Sequence, residues 1–283
     1  IMVDASVAGC PEATAWLKFG WGGVPAHEGT ARLVGCALPR NVGEWLRGLV
    51  HRHRVTLRVR VETHRYVGTH DVVSGLLRGS QWPAEEVWAI AHSGEPGAID
   101  NASGVAVCLE IARVLAQLIG CGALVRPRRT IRLLCAYECY GFFAYLERVH
   151  GGPVPLAGVC LDSVGARPEV CRGRLEWHAS LPMSAGFAER VGASILRAAV
   201  RRLQPGYRVC PERFVSTSDT LIGDPQYGFP CPWLTTHSQG GGRGFDAYHS
   251  SADLSGLLSP AGLATCAASM AAYLYFLASM DEA

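Results

Sequence analysis

Two residues that suit metal binding stand close together within the stretch from Ala91 to Leu115. His92 ends an apolar run, and a loop rich in Gly and Pro leads from it to Asp100. A helical pattern then begins at residues 101–104. A strand that ends in His and a loop that ends in Asp at a helix start can direct both side chains at one point. Because imidazole and carboxylate groups are zinc ligands, this stretch predicts part of a metal site.

Three further residues of this kind follow predicted strands or lie in a loop: Glu138 after residues 131–137, Asp162 after 157–161, and His249 within 247–253. Each residue alone has an ordinary structural explanation, since Asp100 could simply cap a helix and Glu138 could interact with a helix dipole. The functional interpretation depends on finding all five residues in one chain, four of them predicted at the same edge of one sheet because each follows a strand. Such a set can hold one zinc ion, or two ions bridged by a carboxylate.

The elements that position these residues alternate along the chain from about residue 67. Strands are predicted at 72–77, 87–91, 130–136, 156–161 and 232–236, and helices at 102–119, 141–150, 184–203 and 260–278. This alternation predicts an α/β fold, with helices on both faces of a sheet. Ligands of such sheets bind beyond the carboxyl ends of the strands, where His92, Glu138 and Asp162 are expected.

Residues 1–66 have a different pattern, in which Gly and Pro interrupt short apolar segments. A helix is predicted at 42–51, and strict alternation of apolar and polar residues at 55–61 predicts a half-exposed strand. We therefore expect two units: a small β-rich N-terminal module at 1–66 and a main α/β domain at 67–283.

Composition limits the classes of partner. The chain has 283 residues, of which 49% are hydrophobic and 18% charged, as in globular proteins. A formal net charge of +2 predicts neither nucleic-acid binding nor attraction to anionic membranes. The last predicted helix is apolar but carries Ser and Thr, which favours a core helix over a membrane span.

The cysteines bear on the compartment. There are 11 of them, scattered and often within apolar runs, and no pair has zinc-finger spacing. This usage favours free thiols in the cytoplasm over a disulfide scaffold. The chain begins at Ile1, so secretion after removal of an export signal stays open as the alternative.

From about Thr69 to the C-terminus, the motifs resemble those of the zinc exopeptidases of metallopeptidase family 28. The matching motifs are Ala91-His92, the run Gly97 to Gly104, Glu138 with Gly141, Leu161-Asp162 with Gly165, and the run Tyr248 to Asp253. The single Glu of the third motif, Glu138, and the later Tyr145-Leu146 resemble the pattern of a subgroup of bacterial aminopeptidase-like proteins. The resemblance implies a three-layer αβα core with a mixed central sheet and a zinc peptidase catalytic domain at 67–283. Residues 1–66 weakly resemble part of a protease-associated module.

The resemblance also implies roles for these residues. Asp100 would bridge two zinc ions, His92 and Asp162 would complete one site, and His249 would serve the other. Glu138 would be the general base that takes a proton from water activated by the metal. The implied activity is that of an aminopeptidase, a hydrolase that cleaves an amide or peptide bond next to a free amine in a small peptide. Relatives with an inserted module often assemble, so a homo-oligomer is an additional expectation.

Two departures from the family pattern affect the metal site. Family members usually carry Glu-Glu where this chain has Glu138-Cys139. Cys139 is therefore either a thiolate ligand of the second zinc ion or a core residue beside a weak or absent second site. Many members also place Asp two residues after the His, where this chain has Gly94. Zinc affinity is then lowered, unless another carboxylate takes over the role of that Asp.

Three residues are candidates for substrate binding. Asp219 would act as an additional ligand or contact the substrate amine, Arg243 would contact a substrate carboxylate, and Tyr248 would form part of the pocket rim. The structural alternatives are a turn at Asp219 and a flexible glycine-rich loop at 240–244.

Two other functions remain compatible with the sequence. The first is a mononuclear zinc amide hydrolase or a cyclase that acts on a specialised metabolite. The second is a non-catalytic member of the fold that has lost its metal ligands. The presence of all five residues argues against the second, because a scaffold has no chemical need for them.

Overall fold

The computed structural model describes residues 9–16, 36–62, 66–149, 151–152, 154–215, 229–237 and 244–281. Seven strands and five α-helices lie within these ranges. The strands are β1 (Val73–Leu77), β2 (Trp82–Ser93), β3 (Arg129–Tyr137), β4 (Val154–Leu161), β5 (Arg174–His178), β6 (Arg208–Glu212) and β7 (Trp233–Thr235). The helices are α1 (Arg40–Val50), α2 (Ala102–Gly120), α3 (Tyr140–Arg148), α4 (Phe187–Leu203) and α5 (Pro260–Ser279), and a 3-10 turn spans Ser255–Leu257.

The strands form one mixed sheet in the order β1-β3-β2-β4-β7-β5-β6. Strands β3, β2, β4 and β7 run parallel to one another, β1 pairs antiparallel with β3, and β5 pairs antiparallel with β7. The carboxyl ends of four neighbouring parallel strands therefore meet at one edge of the sheet. Three of the five predicted site residues lie there, since His92 belongs to β2 and Glu138 and Asp162 directly follow β3 and β4.

Helices cover both faces of the sheet. Val87, Ala89 and Ala91 of β2 belong to a buried cluster that also contains residues of α2, α4 and α5. The intervening residues, Trp88 and Ile90, belong to a second cluster on the opposite face, together with a residue of α3. A strand buried on both sides is typical of a sheet between two helical layers. The predicted three-layer αβα core is confirmed.

By length and composition alone, α2 and α5 of the described residues could each cross a membrane. In this structure α5 packs against α2, α4 and strands β2 and β3. Its side chains Met270, Tyr273 and Leu274 are fully buried. This is the packing predicted for a core helix. All 11 cysteines are free thiols, while the compartment stays a prediction.

The N-terminal region differs from its sequence pattern. Helix α1 lies where a helix was predicted, but the strand predicted at 55–61 is wrong, because residues 54–62 form no regular element. Leu57 and Val59 are more than half exposed. Alternation cannot supply a partner strand, and none pairs with this segment among the described residues. Much of 1–66 lies outside those residues, so the β-rich module and the boundary at 66 stay predictions.

Strands β5 and β6 were not predicted. In β5 the reason is that the strand buries polar residues. Glu176 and His178 are almost fully enclosed, and the Nε2 atom of His178 lies 2.9 Å from Oε2 of Glu176. The Nε group of Arg174 donates to Oε1 of Glu176 at 2.7 Å. Polar residues that satisfy one another in this way can occupy a buried strand, although their sequence lacks an apolar run.

Candidate metal centre

Strand register brings His92 beside Asp162. Strands β2 and β4 pair in parallel with Ile90 opposite Cys160, and both predicted ligands lie two residues further along. The Nε2 atom of His92 is 3.5 Å from Oδ1 of Asp162. The pairing of these two parallel strands thus brings together two residues that lie 70 positions apart in the sequence.

Asp100 returns to the same point through a short loop. Its Oδ1 atom lies 3.2 Å from Nε2 of His92. The side chain of Asp253 holds the loop in place, because it accepts hydrogen bonds from the N–H groups of Ile99 at 2.8 Å and of Asp100 at 3.0 Å. The backbone that carries Asp100 is therefore fixed before any ligand binds.

The helix after Asp100 is capped by its neighbour. Asn101 is the N-cap residue of α2, and its Oδ1 atom accepts from the N–H of Gly104 at 3.1 Å. The interpretation of Asp100 as a cap is wrong, because the amide of Asn101 already satisfies that helix end. The carboxylate of Asp100 is left to face the two imidazoles of the site.

His249 stacks on two aromatic rings. Its ring stacks on Tyr248 at 3.8 Å and on Trp16 at 5.3 Å between ring centroids. The backbone N–H of Trp16 donates to the carbonyl oxygen of His249 at 2.7 Å. The Nε2 atom of His249 lies 3.1 Å from Oδ2 of Asp100. Residues 9–16 thus contribute directly to the position of a predicted ligand.

Glu95 is a member of the site that sequence reasoning missed. Its Oε2 atom lies 3.5 Å from Nε2 of His249, and its side chain is only 5% exposed. The sequence did contain a signal, since Glu95 lies in the loop between two predicted ligands.

The side chains form two groups that share Asp100. One consists of His92, Asp100 and Asp162, and the other of Glu95, Asp100 and His249. Within each group the potential ligand atoms lie within 4.8 Å of one another. Two imidazoles and three carboxylates in this arrangement fit zinc, which binds nitrogen and oxygen donors and tolerates a bridging carboxylate.

The electrostatics of the site also fit a cation. Burial by itself lowers the pKa of His249, but the hydrogen bonds to Asp100 and Glu95 outweigh burial and raise it to about 9. Burial likewise opposes ionisation of Asp100, yet the hydrogen bonds from His249 and His92 lower its pKa. The carboxylates therefore favour positive charge at the position between them.

Glu138 and Cys139 follow β3 at the same edge. Ser93 pairs with Tyr137, so Glu138 lies one residue beyond the end of this pairing. Cys139 is the N-cap residue of α3, with φ of 59°. Neither residue belongs to the two groups of potential ligands among the described residues. The roles of Glu138 as base and Cys139 as ligand stay predictions.

The charged residues of the site act electrostatically on Tyr248. Burial raises its pKa, and the charges of Asp100, Asp162, Glu95 and Glu138 raise it further. Tyr248 therefore stays protonated and can act as a hydrogen-bond donor. The other two predicted substrate contacts, Asp219 and Arg243, lie outside the described residues.

His237 is a second residue that the sequence analysis missed. It follows β7 at the same sheet edge, is buried, and packs against Tyr248 with ring centroids 4.1 Å apart. Burial lowers its pKa, so the ring is held neutral. Its position directly after the strand predicted at 232–236 was the signal that could have identified it.

Comparison with known families supports the motif-based resemblance. Residues 73–137 match the sequence profile of Peptidase family M28. This segment contains His92, Glu95 and Asp100 and ends just before Glu138. The resemblance to metallopeptidase family 28 is confirmed, whereas nothing in the match concerns the protease-associated module. No curated protein sequence matches the chain.

Solved structures share the fold. The zinc aminopeptidase BSAP from Bacillus subtilis is 19% identical, with a TM-score of 0.59, and the match covers 75% of this chain and 51% of that one. For the aminopeptidase from Aneurinibacillus sp. strain AM-1 the values are 19%, 0.53, 75% and 48%. For Porphyromonas gingivalis glutaminyl cyclase they are 21%, 0.53, 72% and 77%. The chain thus spans about half the length of the two aminopeptidases, and the likeness shows the fold.

Proposed function

We propose that this chain, which resembles Peptidase family M28 and has the fold of zinc aminopeptidases, is a zinc-dependent hydrolase of the aminopeptidase type. The position of Asp100 carries the proposal. Its Oδ1 atom faces His92 at 3.2 Å, and its Oδ2 atom faces His249 at 3.1 Å. A carboxylate between two imidazoles, each with a further carboxylate nearby, suits a pair of divalent cations that share a bridge.

The residues of the chain divide the work between binding and proton transfer. His92 and Asp162 would hold one zinc ion, His249 the other, and Asp100 both. When bound, zinc supplies a Lewis acid that polarises the scissile carbonyl and makes water more acidic. Glu138 is the base that accepts a proton from the attacking water and returns it to the leaving amine.

Tyr248 borders the centre, since its ring stacks on that of His249 with centroids 3.8 Å apart. Burial and the nearby carboxylates raise its pKa, so its hydroxyl group stays protonated and can donate a hydrogen bond to a substrate. We propose that Tyr248 contacts the substrate, with Asp219 near its amine and Arg243 near a substrate carboxylate.

The test of this mechanism is a Glu138→Gln variant assayed on amino-acid anilides. Loss of a general base lowers kcat by about 100- to 10,000-fold, while zinc content per chain stays unchanged. Glu147→Gln, on the exposed part of α3, is the matched control and should keep full activity. If Glu138→Gln also keeps full activity, Glu138 is not the base.

A second candidate function is a mononuclear amide hydrolase or a cyclase. The likeness to a glutaminyl cyclase favours it, because the match covers 77% of that protein. This alternative predicts one zinc ion per chain and no cleavage of amino-acid anilides. Turnover of a peptide that begins with glutamine, followed by the loss of ammonia, would support it.

A further inference from the structure

Two positions of the centre depart from the family pattern, and both lie next to residues that the centre uses. Gly94 stands where many members have Asp, two residues after His92. Cys139 stands where family members usually have a second Glu, directly after Glu138. If no other residue replaced them, the centre would lack both a carboxylate that supports His92 and a ligand of the second metal ion.

Glu95 supplies a carboxylate on the side of the centre where His249 lies. Its Oε2 atom is 3.5 Å from Nε2 of His249, and it forms a ligand group with His249 and Asp100. The side chain is 5% exposed. An ionised carboxylate is buried to this extent only with a charged or hydrogen-bonding partner. Cys139 does not join that group among the described residues.

Gly94 makes the turn that precedes Glu95. Its φ is +99°, in the region that favours glycine, and a Cβ atom at this position would lie 3.1 Å from Cδ2 of Tyr137. An Asp at position 94 would be strained by its own backbone and crowded by Tyr137. Pro96 then restricts the backbone of Glu95, the residue before it.

The far side of the loop is also fixed. A Cβ atom at Gly97 would lie 2.3 Å from Oδ2 of Asp253, so only glycine lets the loop approach this carboxylate. Asp253 in turn accepts hydrogen bonds from the N–H groups of Ile99 and Asp100. Glu95 is thus held between a glycine turn and an anchored backbone, which limits the entropy lost when it binds a ligand.

We propose that the two departures compensate each other: Gly94 turns the loop inward, and Glu95 takes the place of the missing second Glu as ligand of the second metal ion. Cys139 then has no part in metal binding. The inference rests on the proposed function, because it assumes a cation at each of the two groups. The second ion would then be bound by Glu95, Asp100 and His249, which supply only nitrogen and oxygen ligand atoms.

Metal content and the cobalt spectrum test the assignment without an activity assay. The whole chain is stripped with a chelator and then titrated with Zn²⁺ or Co²⁺, and bound metal per chain is measured by elemental analysis. We expect two ions per chain. Thiolate bound to Co²⁺ gives an intense near-ultraviolet charge-transfer absorption that carboxylate lacks, and we expect this absorption to be absent from the wild-type protein.

Three variants separate the candidate ligands. Glu95→Gln removes the charge at nearly constant shape and should weaken the affinity for the second ion on the order of 100-fold. Loss of a residue that only hydrogen-bonds to a metal ligand lowers metal affinity by about 10- to 100-fold, and loss of a ligand itself should cost at least as much. Glu95→Asp keeps a carboxylate and should retain part of the affinity. Cys139→Ser is the matched control and should bind two ions as tightly as the wild type.

The opposite pattern would overturn the assignment. A thiolate band in the wild type, loss of one ion in Cys139→Ser, or two tightly bound ions in Glu95→Gln would each do so. One ion per wild-type chain would also refute it and favour the mononuclear alternative. No bound ion in the wild type would instead refute the proposed function itself, so the two failures are distinguishable.

Discussion

Asn101 binds the residue next to Asp162: its Oδ1 atom accepts a hydrogen bond from the N–H of Ser163 at 3.0 Å. Its Nδ2 group donates to the carbonyl oxygen of Leu161 at 3.0 Å. One buried amide therefore joins the first turn of α2 to the end of β4. Asp100 and Asp162, which lie beside these contacts, are consequently positioned relative to each other by Asn101.

We expect an Asn101→Ala substitution to lower both stability and metal affinity. It removes the cap of α2 and leaves the N–H of Ser163 and the C=O of Leu161 without that partner. The free energy of unfolding should fall by about 3 kcal/mol, because the loss of the helix cap and the unsatisfied buried groups both destabilise the fold. Urea unfolding of the metal-free protein measures this change.

Ser259→Ala is the control for Asn101→Ala. Ser259 caps α5 through a hydrogen bond from the N–H of Gly262 at 3.1 Å. Its loss should cost about 1 kcal/mol and leave zinc affinity unchanged. Equal losses in the two variants would show that Asn101 acts only as a cap.

Gly104 allows α2 to lie against β4. A Cβ atom at this position would lie 2.2 Å from the carbonyl oxygen of Leu161, which belongs to a buried strand and cannot easily move. We expect Gly104→Ala to destabilise the protein by about 3 kcal/mol through overpacking. Gly120→Ala in the same helix meets nothing within 4 Å and should be neutral or stabilising by up to about 1 kcal/mol. Thermal unfolding compares the two variants.

Zinc binding should stabilise the fold. A ligand at 100 times its Kd adds about 2.7 kcal/mol, which corresponds to a rise in Tm of about 5 °C or more for a chain of this size. Asp100→Asn weakens both metal positions, so its Tm should respond much less to zinc. An unchanged Tm in the wild-type protein would favour the scaffold interpretation. Differential scanning calorimetry with and without a chelator gives the comparison.

The metal-free protein should lose stability as pH rises. The pKa of His249 is about 9 in the folded state, because its hydrogen bonds to Asp100 and Glu95 outweigh the effect of burial, and its ordinary value is about 6.5. A raised folded pKa gives stability that is complete below the unfolded value and is lost as pH rises through the folded value. The window is therefore about pH 6.5 to 9.

Urea unfolding in the presence of a chelator at both ends of this window measures the effect. The loss should be about 1 kcal/mol, less than the full shift would give, because solvent screens the partly exposed ring. His249→Gln should remove this part of the pH dependence. His53→Gln, at an exposed position, should retain it, and a retained dependence in His249→Gln would refute the assignment to His249.

Local patterns in the sequence were sufficient for the sheet and its edge. Apolar runs long enough to cross a buried sheet predicted β2, β3 and β4, and the residues that end or follow them are His92, Glu138 and Asp162. Parallel strands bring their carboxyl ends together whatever the loops do. The convergence of His92 and Asp162 was therefore predictable from the sequence alone.

The contributions of Glu95 and Trp16 could not be predicted in this way. Glu95 enters the centre through the positive φ of Gly94, and Trp16 reaches His249 from a segment more than 200 residues away in the chain. The failure at 55–61 has the same origin, since a strand exists only where another strand pairs with it. The sequence by itself determined which residue types end each strand, because burial and backbone periodicity are local. Only the tertiary structure decided which carboxylate accompanies His249, because loop direction and contacts between distant segments depend on the whole fold.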